Sequence, residues 1–173
     1  MRLTDRLAAD LDGAFEAFVR AHQDAVYSAA LRLTLRPADA QDAAQDVFVR
    51  AYKALSTWEP ERIRSLEAKP WLARITLNVV RNRARSNGRR PETVPLSADV
   101  AGTDATDAVA DVMADADDVL GRLAALPDKY RAPVVLRHAY GLSYEEVADV
   151  LGRPVGTVKA QVSRALQTLK ESS

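Results

Sequence analysis

Apolar residues recur at helical spacing through the first third of the chain. Phe18 lies on the apolar side of a first predicted helix, which ends before Pro37. A second predicted helix is capped by Asp39 and carries a continuous apolar stripe as far as Leu55. The pattern predicts a helical module, which we place at residues 13–90.

The same module continues with a predicted loop and a third helix. Residues 56–69 show no period and contain Pro60, which favours a loop. A helix is expected to begin near Pro70, a residue suited to the first helical position, and to extend to about Ser86. Its buried side is predicted to consist of Trp71, Leu72, Ile75 and Val79.

A second helical module is predicted at residues 116–170. Its apolar residues fall into four helical segments, which are separated at Pro127, Gly141 and Gly152. The sequence Ser-Tyr-Glu-Glu after the second of these breaks has the spacing of a capping box and marks a helix start. The chain is therefore predicted to be all-α, with two small helical domains, the second of them a helix-turn-helix domain.

Equal numbers of acidic and basic residues, 24 of each, hide a segregated charge pattern. Residues 50–90 are strongly basic, whereas residues 91–121 contain eight acidic residues and no Lys or Arg. Basic residues predominate again after that. Two polyanion-binding modules on an acidic tether would produce this pattern, and so would two ordinary solvated surfaces. The composition of residues 91–115, rich in Pro, Ser, Thr, Asp and Ala, favours a flexible linker between the two domains.

Composition also disfavours several classes of site. The chain has no cysteine, which excludes disulfides, thiol redox switches and zinc–thiolate sites. His22 and His138 lie far apart without a companion ligand pattern, so we expect no metal site, no cofactor and no catalytic residue. The N-terminus lacks the apolar core of a signal peptide, and no stretch approaches the roughly 18 apolar residues of a membrane span. We expect a cytoplasmic protein without membrane insertion.

The segment LSYEEVADVLGRPVGTVKAQVSRALQTLK, residues 142–170, carries the strongest functional signal. Two helices joined by a tight glycine-containing turn form a helix-turn-helix, whose second helix fits the major groove of DNA. A plain helical hairpin with a solvated charged face is the alternative. With Val158 and Val162 placed inward, other side chains face or flank the DNA. These are Thr157, Lys159, Ala160, Gln161, Ser163 and Arg164.

This segment resembles the C-terminal DNA-binding region of bacterial RNA polymerase sigma factors of the extracytoplasmic-function (ECF) group. The run DAQDAAQDVFVRAY, residues 39–52, is similar to a helix of that family. The run PWLARITLNVVRNRAR, residues 70–85, resembles the family's W-L-x-x-I-x-x-N stretch, which reads the promoter's upstream melting element. The resemblance implies that residues 13–90 are sigma region 2 and that residues 116–170 are sigma region 4.

The resemblance implies an alternative sigma factor without enzymatic activity. Such a protein binds core RNA polymerase, reads the −10 and −35 promoter elements in double-stranded and melted DNA, and assists melting. Its polymerase contacts would be the clamp of the largest subunit and the flap of the second-largest subunit, and an anti-sigma protein would hold it inactive. The acidic linker would enter a positively charged polymerase channel or serve only as a tether. The residues expected to bind polymerase are Asp39, Asp42, Gln45, Asp46 and Phe48.

Acidic residues at a helix start are also favoured by the helix dipole alone, which is the alternative explanation for Asp39. In the third helix, Arg74, Asn78, Arg81 and Arg85 follow spacings of four, three and four and share one face. Guanidinium groups on that face can bind phosphates, and amides can bind base edges, unless the face is merely solvated.

The loop before this helix is the one that the resemblance assigns to base capture. Trp58 in this loop is either a base-stacking aromatic or a core anchor. The residues predicted to bind the melting element are Arg74, Asn78, Arg81, Asn82, Arg85 and Trp58.

Four positions depart from the family pattern, and the mildest change is Gln41, which stands where a glutamate is usual. Asn82 stands where the family usually has Asp, and Lys159-Ala160-Gln161 stands where it usually has Lys-Ser-Arg. The missing charge in the recognition helix suggests a different upstream element or weaker binding there.

Two other functions compete with that of a sigma factor. A stand-alone repressor or activator would use the same helix-turn-helix, usually as a tightly binding dimer, and would leave residues 39–52 and 70–85 unexplained. An enzyme acting on nucleic acid is disfavoured, because the sequence shows no cysteine nucleophile, histidine pair or carboxylate metal cluster.

Overall fold

The computed structural model describes residues 1–86 and 116–171, with side chains from residue 119 onward in the second range. The N-terminal module contains α1 (Leu3–Ala9), α2 (Leu11–Thr34), α3 (Pro37–Leu55), α4 (Pro60–Arg64) and α5 (Ala68–Ser86). The C-terminal module contains α6 (Ala116–Ala124), α7 (Asp128–Tyr140), α8 (Tyr144–Leu151) and α9 (Val155–Glu171). These two ranges contain helices and no strand, which confirms the all-α prediction. The predicted linker at 91–115 lies outside the described residues.

Helices α2 and α3 form the centre of the N-terminal module, and α5 packs against both. A left-handed residue, Leu35 at φ 64°, ends α2, and the extended Arg36 caps α3. The prediction that Asp39 caps this helix is therefore wrong. Pro37 already occupies the first helical turn, where its missing N–H costs nothing, and Asp39 lies within that turn.

The segment predicted as a loop, residues 56–69, contains the five-residue helix α4, and α5 begins at Ala68 rather than near Pro70. Helix α1 packs against both α2 and α4, so the short helix is held from the N-terminal side. Neither α1 nor α4 was predicted, because one or two turns carry too little apolar periodicity to be distinguished from a loop.

The C-terminal module follows the predicted boundaries closely. The Ser143 hydroxyl accepts from the Glu146 N–H at 3.1 Å, and the Glu146 carboxylate accepts from the Ser143 N–H at 3.0 Å, which confirms the capping box. Gly141 and Gly152 adopt φ 65° and 66°, a left-handed conformation that ends α7 and α8. The turn after Gly152 leads directly into α9 and completes the helix-turn-helix.

The two modules pack against each other, with α7 on α2 and α5 and with α8 on α5. Their buried apolar residues belong to one cluster. The predicted buried side of α5 is therefore only partly right. Trp71 and Ile75 are only half-buried. The better-covered sides of α5 face α2, α3 and the C-terminal module. The fully buried residues of this helix are Leu72, Ala73, Thr76, Leu77 and Val79.

Candidate polymerase and nucleic-acid interfaces

The polar face predicted on α5 is present and lies on one side of the helix. Asn78, Asn82 and Arg85 are exposed, and Arg81 is half-buried. Arg74 is exposed too, but its guanidinium donates to the Asp149 carboxylate of α8 at 3.1 Å and to the Asp149 carbonyl at 3.3 Å. The face therefore offers two amides and cationic groups to a nucleic acid, while one of its arginines is held by the C-terminal module.

Trp58 stands beside this face, at the mouth of a cavity of about 280 Å³ between the α3–α4 connection and α5. Its ring lies 5.1 Å from the ring of Trp71, and the Arg62 guanidinium lies 3.9 Å from the Trp58 ring centroid. Arg74 and Asp149 complete the rim. Trp58 is half-buried, so it packs against Trp71 and still lines an open, aromatic-walled cavity with cationic groups at its edge.

The surface expected to bind polymerase lies on α3. Asp42 and Gln45 are exposed, and Asp39 is half-buried. Phe48 is partly buried against the core, whereas Val49 is 51% exposed on the same helix. Val49 is thus a more accessible apolar side chain than Phe48 beside the acidic and amide groups.

Asp46, the remaining member of that set, is engaged within the chain. Its carboxylate accepts from Arg83 Nε at 3.0 Å and from Arg83 Nη2 at 2.5 Å. Because Arg83 belongs to α5 and Asp46 to α3, this ion pair joins the two helices. The two residues are 37 positions apart, and no local sequence pattern would have indicated the pair.

The recognition helix α9 presents most of the predicted residues at its surface. Thr157 and Arg164 are exposed, and Lys159, Ala160 and Ser163 are half-buried. The Lys159 amine lies 5.6 Å from the ring centroid of Tyr144 on α8, so an aromatic face helps to place this cation at the start of the helix.

The position predicted for Gln161 is wrong, because the structure does not place this residue on the flank of the surface. Its side chain is only 1% exposed and accepts a hydrogen bond from Arg153 Nη1 at 2.8 Å. The same nitrogen donates to the Lys129 carbonyl at 3.1 Å. Burial, and secondarily the charge of Arg81, lowers the pKa of Arg153. Arg153 and Gln161 therefore hold the helix-turn-helix together from inside, a role that periodicity alone could not indicate.

Between the modules, Thr76 and Tyr140 form a buried polar contact with 2.6 Å between their hydroxyl oxygens. Thr76 also donates to the Leu72 carbonyl at 2.7 Å, which uses its single proton. Tyr140 is therefore the donor to Thr76. Burial raises the pKa of Tyr140, which keeps that donor protonated.

No group of three or more metal-binding side chains occurs in the two described ranges. Among the same residues, no helix has the length and apolar character needed to cross a membrane.

Family models match both modules: "Sigma-70 region 2" matches residues 18–90, and "Sigma-70, region 4" matches residues 116–169. The ECF RNA polymerase sigma factor SigW of Bacillus subtilis is 30% identical over 171 residues, which cover 91% of this chain and 88% of that protein. The chain belongs to the ECF group of RNA polymerase sigma factors. It is thus a transcription-initiation factor whose partners are RNA polymerase and promoter DNA.

Other relatives agree with this assignment. The sigma-E factor of Streptomyces avermitilis is 39% identical over 159 residues, which cover 91% of this chain and 83% of that protein. The ECF sigma factor SigE of Mycolicibacterium smegmatis is 34% identical over 160 residues, 91% of this chain. The match spans 60% of that longer protein.

Two solved structures share the fold over nearly the whole chain. One is CnrH in complex with the cytosolic domain of CnrY, with a TM-score of 0.70, 28% identity and coverage of 98% of this chain and 94% of that one. The other is the sigma factor RpoE with the anti-sigma factor NepR from Bartonella quintana, with a TM-score of 0.65, 27% identity and coverage of 91% and 94%.

Proposed function

We propose that this ECF sigma factor docks on core polymerase through α3 and captures the melted −10 element through α5, while α9 reads the −35 element. The observation that carries the proposal is the exposed polar side of α5, which bears Asn78, Asn82 and Arg85 and whose Arg74 end lines the aromatic-walled cavity of Trp58. A single strand needs cations for its phosphates and an aromatic wall or polar pocket for its bases, and this surface offers both.

Docking on polymerase is assigned to the exposed stripe of α3. Asp42 and Gln45 precede the accessible Val49 on the same side of α3, which gives a small apolar contact with acidic and amide groups beside it. Charged groups around an apolar centre steer association and fix register. The matching surface would be the clamp of the largest subunit, and the C-terminal module would contact the flap of the second-largest subunit.

Weak contacts by two modules of one chain reinforce each other through effective concentration. Each module alone is therefore expected to bind its DNA element poorly, and polymerase supplies the geometry that engages both. In this mechanism the chain performs no covalent chemistry, and it acts in the cytoplasm with the polymerase.

We also infer that an anti-sigma protein holds this factor inactive. The support is the similarity to the sigma factor RpoE, solved with the anti-sigma factor NepR, and to CnrH, solved with the cytosolic domain of CnrY. The acidic residues between the modules either enter a positively charged channel of the polymerase or serve only as a tether. Neutralising these aspartates and measuring polymerase affinity and initiation separates the two, since a tether predicts no effect.

Run-off transcription tests the proposed function directly. Core polymerase is incubated with genomic promoter fragments, with and without the purified chain. We expect promoter-specific transcripts only when the chain is present. Tight binding of the isolated chain to duplex DNA, with no transcripts, would instead indicate a stand-alone repressor or activator.

A further inference from the structure

We propose that Arg83 is a positioning residue, which fixes the promoter-facing helix α5 to the polymerase-facing helix α3. The inference rests on the proposed function, because it assumes that α3 docks on polymerase and that α5 receives the melted strand. It concerns how the two surfaces are held at a constant spacing, and Arg83 itself contacts neither partner.

The geometry of the contact is that of a structural clamp. Arg83 donates twice to the same Asp46 oxygen, at 3.0 and 2.5 Å, and its Nη2 also approaches the Asp42 carbonyl at 3.4 Å. The Arg83 side chain is 35% exposed, and that of Asp46 is 44% exposed. A guanidinium–carboxylate pair that is partly shielded from solvent and joined by two hydrogen bonds is stronger and more directional than an exposed pair with a single hydrogen bond. The Arg20–Glu16 pair, exposed and within one helix, is a contrasting case.

The clamp lies where α5 has little other support. Beyond Val79, no described residue of this helix is fully buried. Asn82 and Arg85, both assigned to the melted strand, belong to this weakly anchored end. Arg83 points away from them, towards α3, and so it ties the end of α5 to the core of the module.

Once α3 is docked on polymerase it cannot move, and the clamp then fixes the positions of Asn82 and Arg85 as well. Without the clamp, the last turns of α5 are free to shift. Small displacements of these binding groups would strongly reduce the rate of promoter melting. The expected defect is therefore in promoter melting rather than in docking.

The test is a double-mutant cycle of Arg83→Met, which keeps most of the apolar stem, and Asp46→Asn, which keeps the side-chain size; each substitution removes one charge. Melting is followed by the permanganate reactivity of promoter thymines. The chain is added at saturating concentration, so that a change in its affinity for polymerase does not affect the measured melting. Arg20→Ala, in the exposed pair of α2, is the matched control. Circular dichroism verifies that each variant is folded, and Arg83→Lys provides a conservative variant that can still pair with Asp46.

We expect Arg83→Met to reduce melting about tenfold, Arg83→Lys to recover part of it, and Arg20→Ala to behave as wild type. In the Asp46→Asn background, Arg83→Met should have no further effect. The slope of DNA affinity against salt should also stay unchanged in Arg83→Met.

A different result would overturn the inference. If Arg83→Met melts promoters normally, the clamp is irrelevant. If its defect is undiminished in the Asp46→Asn background and the salt slope falls by about one, Arg83 binds a phosphate directly. Failure of the proposed function is distinguishable, because wild-type chain would then give no promoter-specific transcripts at all.

Discussion

Tyr140 and Thr76 meet between the modules, where solvent is excluded from both side chains. The Thr76 hydroxyl donates its hydrogen bond to the Leu72 carbonyl. In its contact with Tyr140 it can therefore only accept, and the Tyr140 hydroxyl is the donor. A buried acceptor that loses its donor retains the cost of its desolvation. This contact is therefore a sensitive point in the association of the two modules.

Tyr140→Phe should lower the free energy of unfolding by about 1 kcal/mol, since it removes the hydroxyl without altering the ring. Urea denaturation measures the change. Tyr52→Phe is the control, because the Tyr52 hydroxyl binds Asp12 at the exposed surface and its removal should cost less. Equal effects of the two substitutions would argue against the buried contact.

Gln161 illustrates which residue roles could not be predicted from the sequence. Helical spacing correctly identified Val158 and Val162 as buried, and it put Gln161 on the flank of the DNA-facing side. The buried sector of α9 is wider, because Arg153 in the preceding turn reaches across to the Gln161 amide. Such partners depend on how the helices cross, and spacing along one helix does not encode that.

At the level of helices, α8 was predicted accurately because its signals are local. The capping residues Ser143 and Glu146 are three positions apart, and Gly152 ends the helix by its own backbone conformation. Helix α5 was predicted less well. Its second buried side, which includes Thr76, exists only because the C-terminal module covers it, and that contact joins residues more than 60 positions apart.

Ser143→Ala should destabilise the C-terminal module by about 1 kcal/mol, because the Glu146 N–H loses its capping oxygen. Ser143→Asp should retain most of the stability, since a carboxylate also caps a helix and suits the positive end of its dipole. Thermal unfolding of both variants provides the comparison. An Asp variant as unstable as the Ala variant would contradict the capping role.

At the scale of the whole molecule, one group that we assign to DNA binding is held in an internal contact. Arg74 pairs with Asp149 across the two modules, so a phosphate approaching Arg74 must displace a carboxylate. Arg81 and Arg153, both positively charged, oppose the same packing, and Arg32 disfavours the protonated form of His138. The association of the modules thus combines the burial of apolar side chains with both attractive and repulsive electrostatic interactions.

Asp149→Asn should raise the affinity of the isolated chain for a single-stranded −10 oligonucleotide by up to about fivefold, since an exposed ion pair contributes no more than about 1 kcal/mol. Fluorescence anisotropy at low salt measures this. Glu16→Gln, which removes a carboxylate from the exposed Arg20 pair, is the control and should leave the affinity unchanged. Equal affinities of Asp149→Asn and wild type would show that Arg74 is not restrained.

Stability should fall as the solution becomes mildly acidic. Burial, and then Arg32, lowers the pKa of His138 in the folded chain from its ordinary 6.5. The unfolded chain therefore takes up the proton first, so the stability contribution is complete above 6.5 and is lost as the pH falls through the lowered folded-state value. Burial, and then Lys69, acts on His22 in the same direction.

Urea midpoints measured between about pH 7.5 and 5.5 should reveal this loss, and His138→Gln should make the dependence shallower. A midpoint that rises on acidification, or a slope unaffected by His138→Gln, would contradict the assignment.

The claim that α5 grips the melted strand while α3 binds polymerase is tested most directly by Asn78→Ala combined with Arg81→Ala. Polymerase affinity and permanganate reactivity of promoter thymines are measured on the same preparations. We predict an unchanged polymerase affinity and the loss of the reactive thymines. Normal melting, or loss of polymerase binding instead, would contradict the assignment of these two helices.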